Sequence, residues 1–217
     1  MEIKKDYPCN NTNFRRGRRD GIKYIVIHYV GATGNAKNNA IYFSGRENIG
    51  SSAHYFVGHG AENGVIYQSV SDTDCAWHCG SENGVYYSPC RNDSAIGIEM
   101  CCHLKNGEWY FDEVTEKSSA ELVRMLMKKY NIPKENVIRH FDVTHKRCPA
   151  PYVLNEAKWH AFKERLNEKS LNTEDDILNC LHEKKIITNR PLWAQKLKED
   201  INIYYLLKKM AEHIVNE

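Results

Sequence analysis

The sequence lacks any apolar run of the roughly 20 residues that a membrane-spanning helix needs. It also has little net charge, because 30 basic and 28 acidic side chains leave a formal charge of +2. Nucleic-acid-binding proteins usually concentrate positive charge on one face. The one basic cluster, residues 15–23, is interpreted as a solvated entry segment or a weak contact with an anionic surface. We therefore expect neither membrane insertion nor a nucleic-acid partner.

A redox motif and a secretory signal are also missing. The eight cysteines contain no C-x-x-C pair, and residues 1–8 contain no apolar segment of the kind found in signal peptides. We expect synthesis in the cytoplasm, where thiols stay mostly reduced. Most cysteines are then interpreted as small buried hydrophobic residues rather than as disulfides. Cys101 and Cys102 are adjacent in a predicted strand, so their side chains should point to opposite faces.

What is present is an alternation of short apolar runs with amphipathic segments. The apolar runs predict strands, and the pair Asn63-Gly64 predicts a turn between two of them. This order is typical of an α/β fold with a mixed central sheet flanked by helices. Strands are predicted at residues 22–30, 53–58, 65–70, 95–102 and 137–140, helices at 35–46, 115–130 and 155–166, and a proline-containing loop at 141–151.

The C-terminal part of the chain has a different character. A polar stretch from Lys169 to Asp176 predicts a linker or helix cap, and three short helical patterns follow at 177–183, 192–198 and 201–214. We predict a first domain at residues 1–168 and a small all-helical C-terminal domain at 169–217, which is marginal alone by size. Its aromatic residues, Trp193, Tyr204 and Tyr205, either face a glycan or belong to a core.

Three residues suggest a metal site. His28 and His140 each end a predicted strand, and Cys148 follows His140 in a loop stiffened by Pro149 and Pro151. Catalytic zinc sites use three protein ligands and keep the fourth position for water. The spacing alone leaves open that these are core histidines and a buried cysteine.

A carboxylate and a lysine could complete such a site. Glu99 lies within the apolar run Ile96 to Met100, where an unpaired charge is costly to bury. It is either a general base or a residue on a solvated edge. Lys146 lies two residues before Cys148 and is either an oxyanion-stabilising cation or an ordinary surface lysine.

Six blocks of the sequence occur in an order that resembles the type 2 N-acetylmuramoyl-L-alanine amidases. That family includes phage endolysins, bacterial autolysins and the peptidoglycan recognition proteins. The resemblance covers about residues 14 to 166, and the six blocks together are far more specific than any one. The blocks are residues 25–29, 52–57, 76–78, 92–99, 139–143 and 146–149.

The resemblance implies roles for individual residues. It implies zinc on His28, His140 and Cys148, with Glu99 as the catalytic glutamate and Lys146 as the matching lysine. Some members have a tyrosine before the histidine of the second strand, and here that position is Ala53. The remaining matched positions imply substrate contact or support of the site, and they are His54, Trp77 and His78. His145, beside Lys146, is either a residue that tunes the site or a loop histidine exposed to solvent.

The resemblance also implies a function. The expected reaction is zinc-dependent hydrolysis of the amide between N-acetylmuramic acid and L-alanine in bacterial peptidoglycan. The expected setting is a phage or prophage endolysin that reaches the cell wall after holin-type release, with the C-terminal domain a candidate for wall binding. Two alternatives stay open: a non-catalytic peptidoglycan-binding protein and a cytoplasmic amidase that recycles muropeptides. Retention of Cys148, Glu99 and Lys146 favours an enzyme.

Overall fold

The computed structural model describes residues 2–80, 84–167, 171 and 173–215. The chain divides into two compact units, Met1–Leu166 and Asn167–Glu217. The predicted start of the linker at residues 169, 170 and 172 lies outside the described residues. Within the described part, no helix is long and apolar enough to cross a membrane.

The first unit is built on a six-stranded mixed sheet. Its strands are β1 (Ile3–Lys4), β3 (Tyr24–Tyr29), β4 (Tyr55–Val57), β5 (Ile66–Gln68), β7 (Ala95–Met100) and β10 (Val137–Arg139), while β2 (Phe14–Arg15) pairs with β6 (Cys75–Ala76) and β8 (His103–Lys105) with β9 (Glu108–Tyr110). The strand order is β1-β5-β4-β7-β3-β10. Only the β4–β5 pair is antiparallel among these neighbours. The predicted α/β fold with a mixed sheet is confirmed.

Five helices belong to this unit, and they are α1 (Ala36–Gly45), α2 (Glu113–Tyr130), α3 (His140–Thr144), α4 (Ala150–Val153) and α5 (Glu156–Arg165). Helix α2 begins two residues before its predicted start, because the Asp112 carboxylate accepts a hydrogen bond from the Thr115 backbone N–H at 2.8 Å. Such a cap satisfies a backbone donor that has no partner within the helix.

The two faces of the sheet bury different kinds of side chain. Alternate residues of a strand point to opposite faces. Ile25 and Ile27 therefore join the main apolar core with Leu122 and Leu126 of α2. Val26 and His28 point to the other face, where His28 is buried as a polar side chain. The main core thus supports the sheet from one side while the other side carries the candidate site.

The structure corrects three sequence-based predictions. His140 does not end a strand: β10 stops at Arg139, and His140 is the first residue of α3 because Asp142 caps the Arg139 backbone N–H. The predicted loop at 141–151 accordingly contains helical residues of α3 and α4. Strand β7 ends at Met100, so Cys101 and Cys102 follow the strand.

One hairpin was not predicted at all. Strands β8 and β9 pair in antiparallel fashion around Asn106 and Gly107, both of which have positive φ. An Asn-Gly pair is the strongest short hairpin signal, so the sequence did contain the information. All eight cysteines of the chain are buried and free, which agrees with the interpretation of most of them as small buried residues.

The second unit consists of α6 (Glu174–Glu183), α7 (Arg190–Glu199) and α8 (Ile201–Val215). Trp193 and Tyr204 are half-buried against its small apolar core, whereas Tyr205 is 60% exposed. Two of the three aromatic residues therefore take the core role that was one of the two sequence interpretations. The core consists of Ile177, Leu178, Cys180, Leu181, Ile187, Leu197, Leu207 and Ala211.

Candidate metal centre

The register of the parallel strands brings two polar side chains together. Strands β3 and β7 pair so that His28 lies opposite Glu99, and both side chains lie on the same face of the sheet. On the other side of β3, Arg139 pairs with Ile27, so the next residue, His140, is placed beside His28. The imidazole centroids of His28 and His140 are 4.7 Å apart. The carboxyl ends of three adjacent strands thus meet at one edge.

The loop after α3 brings Cys148 to the same place. Its carbonyl accepts a hydrogen bond from the Phe141 N–H at 2.8 Å, which ties the loop to the first turn of α3. The Cys148 Sγ atom lies 3.7 Å from Nδ1 of His28. His28, His140 and Cys148 are all buried, and one ligand atom from each lies within 4.8 Å of the others. These three residues could hold a metal ion.

The hydrogen bonds of the two histidines fit metal ligation. Nε2 of His140 lies 3.1 Å from the Gly80 carbonyl oxygen, to which it can only donate. Its Nδ1 atom therefore has a free lone pair, and this buried atom has no hydrogen-bond partner. Metal-bound histidines usually donate their second ring N–H in this way. Two imidazoles and a thiolate are a donor set that zinc takes.

In the absence of a bound cation, burial favours the neutral forms of His28, His140 and Cys148. It lowers the pKa of His28 well below its usual value, and the nearby His140 lowers it further. The pKa of His140 falls to about 4 through burial and then through Lys146. Burial raises the pKa of the Cys148 thiol far above its usual range. A metal ion reverses this last effect, because a coordinated thiol is bound as the thiolate.

Glu99 is half-buried, and its Oε2 atom is buried without a hydrogen-bond partner. Burial raises the pKa of Glu99 to about 8, and the positive charge of Lys146 opposes that rise. The alternative of a residue on a solvated edge is excluded for Glu99, because its strand β7 lies between β4 and β3. Lys146 itself is exposed and lines the same cavity as Glu99 and Cys148. A carboxyl with a shifted pKa beside a candidate metal site is suited to proton transfer.

An open cavity of about 870 Å³ contains the whole group. Trp77 and His78 lie on its wall. Ala53 also lines it, at the position where some members of the family have a tyrosine. The further lining residues are Tyr29, Val30, Gly31, Phe43, Gly50, Ser51, Ser52 and Gly80. Phe43, Gly50 and Ser51 lie outside the six sequence blocks and carried no sequence signal that distinguished them, whereas Ser52 belongs to the block 52–57.

His54 does not lie on the cavity wall. It is 0% exposed; its Nδ1 accepts a hydrogen bond from the Gly97 N–H at 2.9 Å, and its Nε2 lies 3.2 Å from the Asp74 carbonyl oxygen. The substrate contact predicted for His54 is therefore corrected, because a fully enclosed ring cannot touch a ligand. Supporting the strands beneath the site is the role that its position allows.

The buried histidines give the metal-free protein a predictable response to acid. Four of them, His28, His54, His78 and His140, have a lowered pKa, mainly through burial. Between pH 6.5 and about 4 the unfolded chain takes up protons that the folded chain does not, so acid favours unfolding. A shift to about 4 for His140 alone corresponds to about 3 kcal/mol. The raised pKa of Glu99 acts in the opposite direction, but one carboxyl opposes four imidazoles.

We therefore expect the free energy of unfolding to fall by several kcal/mol between pH 6.5 and 4.5, measured by urea unfolding with a chelator present. The variant His140→Asn should show a smaller decrease, since one of the four groups is gone. The exposed His160 provides a control, because His160→Ala should leave the decrease unchanged. Equal stability of the wild type at both pH values would contradict the burial argument.

The arrangement defines a class of protein. Metal-dependent hydrolases commonly offer three protein ligands and leave a coordination position for water. The group found in the described residues has three members, and it opens into a cavity that also holds a buried carboxyl. This arrangement resembles that of the metal-dependent hydrolases. The chain belongs to the N-acetylmuramoyl-L-alanine amidase family, whose model matches residues 17–151. This confirms the family indicated by the sequence blocks.

Individual relatives agree with this placement. The chain is 34% identical over 176 residues to the N-acetylmuramoyl-L-alanine amidase CwlL of Bacillus licheniformis, covering 77% of this chain and 47% of CwlL. It is 36% identical over 107 residues to the 1,6-anhydro-N-acetylmuramyl-L-alanine amidase AmpD of Haemophilus influenzae, covering 49% of this chain and 54% of AmpD. The chain thus spans about half the length of each of these curated relatives.

A solved structure also resembles this chain. It is described as a mutant endolysin from Bacillus subtilis, and its TM-score with this chain is 0.61 at 28% sequence identity. The match covers 77% of this chain and 99% of that chain. The first unit therefore has the fold of an endolysin domain.

Proposed function

We propose that this chain hydrolyses the amide bond between N-acetylmuramic acid and L-alanine in bacterial peptidoglycan, with zinc bound by His28, His140 and Cys148. The observation that carries the proposal is the convergence of these three residues with Glu99 and Lys146 around one cavity. The relative CwlL is, by its name, an N-acetylmuramoyl-L-alanine amidase.

The chemistry divides among the groups of the site. A bound zinc ion supplies Lewis acidity, which polarises a carbonyl group and makes water more acidic. Glu99 accepts the proton of the attacking water and delivers it to the leaving amine of L-alanine. Its position opposite His28 on the neighbouring strand places the carboxyl beside the metal ligands. The tyrosine used by some relatives has no counterpart here, because Ala53 lines the cavity at that position.

Lys146 provides the positive charge for the developing oxyanion. It is exposed, lines the cavity and lies two residues before Cys148, so its ammonium group can approach a bound substrate. One such donor in an enclosed site typically lowers the barrier by roughly 3–4 kcal/mol. Trp77, half-buried on the cavity wall, offers a ring for contact with the substrate.

The cellular role belongs to the same proposal. We propose a phage or prophage endolysin that acts on the cell wall, which the similarity to a Bacillus subtilis endolysin structure supports. A muropeptide-recycling amidase is the second candidate, supported by the 36% identity to AmpD. The two differ in substrate, since an endolysin cleaves intact walls and a recycling enzyme cleaves soluble muropeptides.

The test measures metal content and amide hydrolysis on the same preparation. We expect about one zinc per chain by elemental analysis and release of L-alanine amino termini from purified peptidoglycan that stops on adding a chelator. Parallel assays on intact walls and on soluble muropeptides distinguish the endolysin from the recycling enzyme. Zinc without amine release from either substrate would support a peptidoglycan-binding protein and contradict the amidase proposal.

The second unit is proposed to bind the cell wall. What supports this is a compact helical unit with apolar side chains exposed on α8, namely Tyr205, Leu206 and Met210. Binding to the same wall through two linked units strengthens the overall attachment. Removing residues 169–217 should therefore reduce the fraction bound in a wall pull-down about tenfold or more. Hydrolysis of soluble muropeptides by the truncated chain serves as the control and should persist, and unchanged wall binding would refute the targeting role.

A further inference from the structure

His78 makes an unusual contact with one of the candidate ligands. Its Nδ1 atom lies 3.0 Å from Nε2 of His28, and the two rings meet edge to face at 88°. Both side chains are buried, with exposed fractions of 7% and 2%. His78 thus contacts His28 through the ring nitrogen that does not face Cys148.

The direction of this hydrogen bond follows from the other atoms around it. Nδ1 of His28 faces Cys148 Sγ, so it is the atom available for a metal, and its Nε2 must carry the hydrogen. His78 Nδ1 is then the acceptor. The thiol of Cys79 lies 3.2 Å from the same Nδ1 atom, and a thiol is likewise a donor. With His28 Nε2 as the donor, Nδ1 is the unprotonated nitrogen of His78 and can also accept from the Cys79 thiol.

The backbone around His78 holds its ring in this position. The N–H groups of His78 and Cys79 both donate to Oδ1 of Asn92, at 3.0 and 2.7 Å. Asn92 lies just before β7, so this contact fastens the loop to the strand that carries Glu99. These bonds hold the backbone from which the His78 ring extends to His28.

Gly97 of β7 provides the space that the ring occupies. A Cβ atom built on Gly97 would lie 2.6 Å from Cγ and 2.7 Å from Nδ1 of His78, which is closer than real Cβ contacts. The neighbouring strand positions Ile96 and Ile98 carry large side chains, but they point to the opposite face. A strand interior disfavours glycine unless another group approaches closely. Here that group is the His78 imidazole.

We propose that His78 is a positioning residue that fixes the tautomer and ring orientation of the metal ligand His28, and that Gly97 provides the space for it. This inference rests on the proposed metal centre but not on the identity of the substrate. Of the two roles that the sequence blocks implied for His78, substrate contact or support of the site, it favours support. Residues that orient a ligand in this way contribute about 10–100-fold to metal affinity.

The experiment uses the full-length chain and measures zinc affinity by competition with a chromophoric chelator. His78→Ala removes the acceptor and should weaken zinc binding about 10–100-fold. His78→Asn should restore most of the affinity, because its amide oxygen occupies the place of Nδ1. Gly97→Ala should weaken binding like His78→Ala, since it displaces the ring without changing any polar group. The absorption of the cobalt-substituted protein should change in the two weakened variants.

A control separates positioning from a general loss of stability. Leu126→Ala creates a cavity in the core on the opposite face of the sheet and should lower the thermal midpoint without changing zinc affinity. Wild-type zinc affinity and cobalt spectrum in His78→Ala would overturn the proposal, as would a raised KM as its only effect. If the wild type binds zinc but releases no amine, the proposed reaction fails while the zinc affinities still decide the role of His78. A wild type that binds no metal overturns both.

Discussion

Glu99→Gln is expected to lower the rate of amide hydrolysis about 10²–10⁴-fold while the bound zinc remains at wild-type content. The carboxyl lies among buried residues, and burial raises its pKa to about 8. A bound cation lowers that pKa, because it favours the ionised carboxylate. Glutamine keeps the shape of the side chain but cannot accept a proton from water. The measurement is release of L-alanine amino termini at saturating substrate, with metal content determined on the same sample.

A second glutamate offers a matched control for this variant. Burial also raises the pKa of Glu116, but this residue does not line the cavity. Its carboxylate accepts a hydrogen bond from the Tyr152 hydroxyl at 2.9 Å. Glu116→Gln should therefore retain hydrolysis within a few-fold of wild type. Activity of Glu99→Gln close to that of Glu116→Gln would contradict the role of Glu99 as the base.

Cys148→Ala is expected to abolish hydrolysis and to weaken zinc binding by more than about 100-fold. The reason is that removing a direct ligand must cost more than the 10–100-fold contributed by supporting residues. Only His28 and His140 would remain of the group found in the described residues. Zinc affinity, measured by chelator competition, and amine release should be lost together, and dialysis against a chelator should reproduce both losses in the wild type.

Another buried cysteine provides the control for this substitution. Cys101 is 0% exposed and does not line the cavity, so Cys101→Ala removes a buried thiol without removing a ligand. Its zinc content and rate should match those of the wild type. If Cys148→Ala retained stoichiometric zinc, the assignment of Cys148 as a ligand would be refuted.

The order of elements could be predicted from the sequence because hydrophobic periodicity is a local property. The largely apolar run from Ile22 to Val30 forms β3, an interior strand between β7 and β10, and the pattern after Thr115 forms most of α2. Predictions failed where a contact outside the pattern decided the outcome. The Asp142 carboxylate accepts a hydrogen bond from the Arg139 backbone N–H, and His140 is therefore the first residue of helix α3.

The sequence blocks predicted most of the residues that could carry the chemistry of the site. The ordered blocks implied His28, His140, Cys148, Glu99 and Lys146, and all five line one cavity. The same blocks could not distinguish His54 from His78. His54 precedes β4 and His78 follows β6, and only the fold decides that the ring of His54 is fully enclosed while that of His78 borders the cavity.

By itself, the sequence determined the fold class, the family and the types of side chain available for chemistry, because hydrophobic periodicity and the order of motifs depend only on residues close together in the chain. Only the tertiary structure decided which atoms meet. The parallel register sets His28 opposite Glu99, and the absence of a Cβ at Gly97 admits the ring of His78. Burial then lowers the pKa of the histidines and raises that of Glu99, and burial is a property of packing between segments distant in sequence.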